Sequence, residues 1–191
     1  MGQITAVGIK KILYADTSKI TADLTPDLAK TLIKAAITAK DEVRNVHQET
    51  WNVEEAEASV TGYKNQLNGQ TYRYETNPGD MSVNFTIGQY DYATKAALMG
   101  GTAIKRGGNG ADKDDIVGWK RSNDKVEIKK ALFCLSDDGV WFIFTNAQIT
   151  AHEANTDKAI AIAVKALVQT PEVAGVSMEY NFDEAVVKAL V

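Results

Sequence analysis

The segment Val140-Trp141-Phe142-Ile143-Phe144 contains no polar position, so a strand formed there has no face to give to water. A half-buried strand alternates apolar and polar residues, whereas an unbroken apolar run of this length needs cover on both sides. Asp138-Gly139 stands just before it, a dipeptide suited to a tight hairpin turn, and residues 131–135 form a second apolar run on the other side of that turn. The chain must therefore build a sheet whose central strands are packed on both faces.

Further strands follow from alternation. Met81, Val83, Phe85 and Ile87 alternate with Ser82, Asn84 and Thr86. Ile160, Ile162, Val164, Ala166 and Val168 repeat the pattern, with Ala159, Ala161 and Ala163 opposite. Met178, Tyr180 and Phe182 alternate with Ser177, Glu179 and Asn181 in a last strand. Asn68-Gly69 separates 63–67 from 72–74, which predicts an extended hairpin near 60–76.

Helices are few. Thr25, Pro26 and Asp27 supply a cap, a first-turn proline and a first-turn acid, and Leu28, Leu32, Ile33 and Ala36 then share one face, which predicts a helix near 26–39. A shorter helix is expected at 89–99, closed by Gly100-Gly101. Asn77-Pro78-Gly79-Asp80 reads as a tight turn. Residues 100–115, with five glycines, three aspartates and three basic residues, read as an exposed, mobile loop. The expected fold is mainly β (α+β): an antiparallel β-sandwich or partial barrel with one main flanking helix, in one domain spanning 1–191.

Bulk properties narrow the function. A chain of 191 residues with 45% hydrophobic content buries roughly 70% of its unfolded surface and needs neither metals nor disulfides for a core. A net charge of −4 argues against a protein that grips nucleic acid through its phosphates, although it permits a surface past which DNA slides. The lone Cys134 lies in an apolar run and reads as a core residue. The first residues lack a signal-peptide core, no stretch has the length of a membrane span, and Ala6 stands where a myristoylation signal requires Ser or Thr. A soluble chain made in the cytoplasm, without a membrane role, is expected.

The chemical inventory selects no site. No window matches the phosphate-binding Gly-x-x-x-x-Gly-Lys-Ser/Thr pattern, and Gly108-Asn109-Gly110 leads to Lys113 where a third glycine belongs. Asp112, Asp114 and Asp115 begin a cation loop that Ile116 and Val117 do not continue, so a solvated charge cluster is the better account. His47 and His152 each have a nearby carboxylate, Glu49 and Glu153, but no zinc-type spacing links them. Glu54, Glu55 and Glu57 form an acidic run best read as a solvated strand end. Asn84-Phe85-Thr86 fits a glycosylation pattern only formally. Trp51, Trp119 and Trp141 read as core or interface residues more readily than as a sugar platform. No catalytic residue, metal or cofactor is expected, and the chain reads as a non-enzyme.

Two stretches carry a resemblance. MSVNFTIGQYDYATKAALMGG, at 81–101, passes from an alternating strand into a short helix that ends in Gly-Gly. DDGVWFIFTNAQIT followed by DKAIAIAVKAL, within 130–167, is a hairpin, a polar break and a long alternating strand. In this order, and with EVAGVSMEYNFD as a last strand after a proline-marked turn, the chain resembles the tail tube (major tail) proteins of long-tailed bacteriophages over about residues 40–185. The resemblance rests on order and texture and includes no invariant chemical motif.

The resemblance implies a virion structural protein, phage- or prophage-borne, with two packed sheets and a helix. Six subunits close into a hexameric ring, and rings stack into a hollow tube that conducts DNA without sequence-specific binding. Its partners are then copies of itself and other tail proteins, and its place is the virion tail. Stacking requires an axial arm. The hairpin residues Lys64, Asn65, Gln66, Leu67, Asn68 and Gly69 are the first candidate, and the 100–115 loop is the second. Three other readings stay open: the related tube of a contractile injection or type VI secretion system, a β-sandwich decoration protein of a virion, and a ligand-binding module.

Overall fold

The structure, a computed structural model, describes residues 6–107, 115–124, 126–156 and 159–189. It is mainly β, with antiparallel pairing throughout the described strands. Strand β1 (Lys11–Asp16) leads through a short 3-10 turn to helix α1 (Pro26–Thr38), and β2 (Glu42–Val43) follows. Next come β3 (Asn52–Glu55), β4 (Ser59–Lys64), β5 (Thr71–Asn77) and β6 (Met81–Ile87). Helix α2 (Tyr92–Met99) precedes β7 (Thr102–Lys105) and β8 (Ile116–Lys120). The long strands β9 (Ile128–Leu135), β10 (Val140–Thr156) and β11 (Ala159–Val168) then lead to β12 (Glu179–Asp183) and α3 (Glu184–Val187).

The main sheet runs in the order β2-β1-β9-β10-β11-β6-β3, with β12 beside the first part of β10. Its two ends come together. Val46, just past β2, bridges Ile87 of β6, and His47 N–H donates to the Thr86 carbonyl at 2.7 Å while Gly88 N–H donates to that of Asn45 at 3.1 Å. The sheet thus curls into a partial barrel stitched by residues 45–47.

Alternation sorts the side chains into two cores. Ile12, Tyr14, Leu132, Cys134, Phe144, Phe85, Val164 and their neighbours fill the barrel, whereas Leu13, Phe133, Leu135, Trp141 and Ile143 face outward and meet Ala29, Ile33 and Ala36 of α1. Phe142 and Phe144 therefore belong to one core, Trp141 and Ile143 to the other. The two-sided burial expected of 140–144 is what the fold uses. Each such side chain removed from water stabilises the fold by about 1.5–3 kcal/mol.

Helix α1 has the expected start. Thr25 Oγ1 accepts the Leu28 N–H at 3.3 Å, Pro26 occupies the first turn and Asp27 follows. Its buried stripe is Ala29, Ile33 and Ala36, with Leu28 and Leu32 only partly covered at its border. Helix α2 begins at Tyr92, three residues later than 89, because Asp91 Oδ1 caps it through the Thr94 N–H at 2.7 Å.

Strand β10 extends well past the expected 140–144. A bulge at Thr145 and Asn146 makes this compatible with two neighbours on one side. Before the bulge β10 pairs β12, and after it β10 pairs β11. Thr145 Oγ1 donates to the Ser177 carbonyl at 2.7 Å, and Asn146 Nδ2 donates to that of Thr170 at 2.8 Å, so the two bulge residues hold the point where β11 and β12 diverge. In β11, Ile162, Val164 and Ala166 enter the barrel core as expected, but Ile160 is 63% exposed because β6 stops pairing at Ile162.

Candidate assembly surface

The expected hairpin exists as β4 and β5, and they form a two-stranded sheet of their own. Every β4 residue is exposed. Both ends of the ribbon are fixed locally. At its root, Ala56 N–H donates to the Asp80 carbonyl at 2.9 Å, and Gly79 lies so close to Ala56 that a Cβ would stand 1.7 Å from the Ala56 carbonyl oxygen. The Asn77-Pro78-Gly79-Asp80 turn is thus a clamp between β5 and β6.

The first arm ends short of the expected 67, and the second begins one residue before the expected 72. The strands end at Lys64 and resume at Thr71, with Asn65, Gln66, Leu67, Asn68, Gly69 and Gln70 between them. Asn65 Oδ1 accepts the Leu67 N–H at 2.9 Å, Asn68 Oδ1 accepts the Gln70 N–H at 3.0 Å, and Gly69 N–H donates to the Asn65 carbonyl at 2.8 Å. These side chains give the backbone local partners in place of ladder bonds, which shortens the first arm. Gly69 takes a left-handed φ of 70° with nothing near its Cβ position. Of the six candidate residues Asn65 is half-buried and the rest are exposed, Leu67 at 94%.

The two faces of the ribbon differ chemically. On one, Tyr63 OH donates to Glu75 at 2.7 Å, which raises the Tyr63 pKa, and Arg73 lies over the same ring at 5.8 Å. On the other stand Val60, Tyr72 and Tyr74, the tyrosines 70% exposed, with Tyr74 lying over Gly62. This is an apolar face that the chain itself leaves uncovered.

The second candidate, residues 100–115, is in part a strand. Thr102–Lys105 pairs with Ile116–Lys120, so β7 and β8 form another two-stranded ribbon where a loop was expected. The run Thr102-Ala103-Ile104-Lys105 is too short for periodicity to separate strand from loop. Gly108, Asn109, Gly110, Asp112, Lys113 and Asp114 lie outside the described residues, and with them most of the candidate cation cluster.

A group that sequence reasoning missed anchors this ribbon. Lys95 of α2 is buried; its Nζ donates to Glu153 Oε1 at 2.6 Å and lies 4.3 Å from the Trp119 ring centre and 5.2 Å from that of Tyr90. Arg121 covers Trp119 at 5.3 Å and reaches Glu153 at 3.6 Å. Trp119 Nε1 donates to the Gly100 carbonyl at 2.8 Å. The Lys95 hydrogen bond, then its charge and that of Arg121, hold the Glu153 carboxyl below the usual range. Trp119, Arg121 and Glu153 are 24 to 58 positions from Lys95 in sequence, beyond the reach of any local pattern.

The remaining chemical candidates are scattered. Cys134 sits in the barrel core, where burial pushes its thiol up to about 12, so it stays protonated at neutral pH. His47 is in the seam and His152 is on β10 opposite Ala163. Glu54 and Glu55 are exposed on β3, and Asn84 bonds to Asn52 across the β3–β6 pair at 2.8 Å. Trp141 is fully buried, and Trp51 packs near Phe142 at 6.4 Å. Among the described residues no three His, Cys, Asp or Glu side chains form a metal-holding group, and no helix is long and apolar enough to cross a membrane. No family model matches this chain, and no curated protein matches it.

Proposed function

We propose that this chain is a structural subunit, not an enzyme, that assembles with copies of itself into stacked rings forming a hollow tube. The tail tube of a long-tailed bacteriophage is the assembly it resembles, with DNA passing through the lumen without sequence-specific contact and other tail proteins at the ends. The place of action is then the virion tail, after synthesis in a bacterial cytoplasm.

The observation that supports this reading is the β4–β5 ribbon. A two-stranded ribbon is marginal by itself in water. This one projects from a well-packed barrel and carries Val60, Tyr72, Tyr74 and Leu67 in the open. Exposed aromatic residues on a clamped arm suit burial against a neighbour, and the six residues at its tip are the axial contact proposed here. The net charge of −4 suits a channel that does not retain phosphate.

Negative-stain electron microscopy with light scattering over a concentration series tests it. Rings or tubes are expected, and deletion of residues 64–70 should leave rings that no longer stack. Normal tubes from the deleted chain would remove the tip from the axial contact. A chain that stays monomeric throughout, yet is stabilised by a small ligand, would favour a binding module instead.

A further inference from the structure

The ends of the main sheet leave one strand short of a partner. Strand β3 is the last in the order and pairs only β6 among the described strands, so the backbone groups of its other edge have no ladder. Such an edge is a template for another strand. Residues 52–57 carry Glu54, Glu55 and Glu57 with no basic residue, a local charge of −3, and all three acids are exposed.

The opposite charge lies on the β7–β8 ribbon, which is separate from the main sheet. Its described residues, 102–107 and 115–121, carry Lys105, Arg106, Lys120 and Arg121 against Asp115, a local charge of +3. Arg106 and Lys120 are exposed, and Ile104 and Val117 of the same ribbon are each 46% exposed. A cleft of about 690 Å³ borders the ribbon, with Lys120, Arg121, Lys129 and Lys130 on its walls beside Asp16 and Glu127. Lys130 is paired to Asp16 at 2.6 Å and Lys129 to Glu172 at 3.4 Å, which leaves Arg106 and Lys120 as the basic groups best placed for a new partner.

We infer that the free β3 edge of one copy seats against the basic β7–β8 ribbon of a second copy. This rests on the assembly reading above and names the lateral contact within it. Charge complementarity selects the occupant: the acidic strand and its basic acceptor belong to the same chain, and a strand edge is completed by another strand, which nucleic acid does not offer. Edge and acceptor are different surfaces, so a head-to-tail contact uses both in every copy, and a rotation that closes gives a ring.

The test uses two full-length variants, Glu54→Lys with Glu55→Lys, and Arg106→Glu with Lys120→Glu. All four side chains are exposed, and unchanged circular dichroism and thermal unfolding confirm that each variant folds. Each variant alone sets like charges against each other and should need at least about tenfold more protein for half-assembly than the unaltered chain. An equimolar mixture restores opposite charges at every junction and should assemble at close to the original concentration. If the unaltered chain assembles and either variant does so equally well, or the mixture stays dispersed, this contact is wrong while the assembly reading stands. If the unaltered chain fails to associate at any concentration, the assembly reading falls and the contact with it.

Discussion

Lys95 and Glu153 meet at 2.6 Å although 58 positions separate them, and their pairing joins α2 to the distal half of β10. The Trp119 ring lies under the same ammonium, so one buried lysine secures helix, strand and ribbon together. The acid partner gives this junction a pH dependence. A carboxyl whose folded pKa is depressed adds stability above its unfolded value, and that stability is lost as pH falls through the folded value. Thermal stability of the unaltered chain should therefore fall more steeply below about pH 4 than that of Glu153→Gln. Parallel curves for the two proteins would show that the pair contributes nothing to acid sensitivity.

Replacement of Thr25 by Ala removes the side-chain acceptor at the start of α1. A loss of about 1 kcal/mol is expected, which lowers Tm by about 2–4 °C in a chain of this size. Thr25→Asp should retain the cap and its stability.

Gly79→Ala sets a methyl group against the Ala56 carbonyl, where no flexible side chain can give way. The root of the β4–β5 ribbon must shift. Limited proteolysis should then cut between 56 and 80 sooner than in the unaltered chain, with the rest of the barrel still protected. An unchanged digestion pattern would mean that the clamp does not set the ribbon's position.

Tyr72→Ser with Tyr74→Ser separates folding from association. Both rings are mostly exposed, so folding stability should change by no more than about 0.5 kcal/mol per site. Assembly should weaken visibly in light scattering. A loss of stability without loss of assembly would reverse the role given to this face.

Cys134 should resist alkylation in the folded protein at mildly alkaline pH and react fully once the chain is unfolded. Its thiol is fully buried and pushed up to about 12, so the reactive thiolate is scarce. Rapid native labelling would indicate that the barrel opens readily.

The long alternating strands and α1 were legible in the sequence because their signals are local: the apolar run 140–144, the period-two pattern of 81–87, the Thr25-Pro26-Asp27 cap. The short strands were not. Strand β2 has two residues and β7 has four, and both exist because a partner strand holds them. The length of β10 was hidden for another reason: Thr145 and Asn146 break the apolar pattern at the bulge and resemble a strand end. The hairpin was found from Asn68-Gly69, yet its tip is wider because Asn65 and Asn68 bond to their own loop. The Lys95 junction depends on contacts between distant segments and left no mark in any window.

The placement of Trp141 and Phe144 on one strand, three positions apart and in opposite cores, has a consequence for how the protein comes apart. Neither hydrophobic layer can dissolve while β10 keeps its backbone geometry, and losing that geometry empties both at once. Helix side and barrel side should therefore denature as one cooperative unit, with fluorescence and far-ultraviolet signals tracing a single coincident transition.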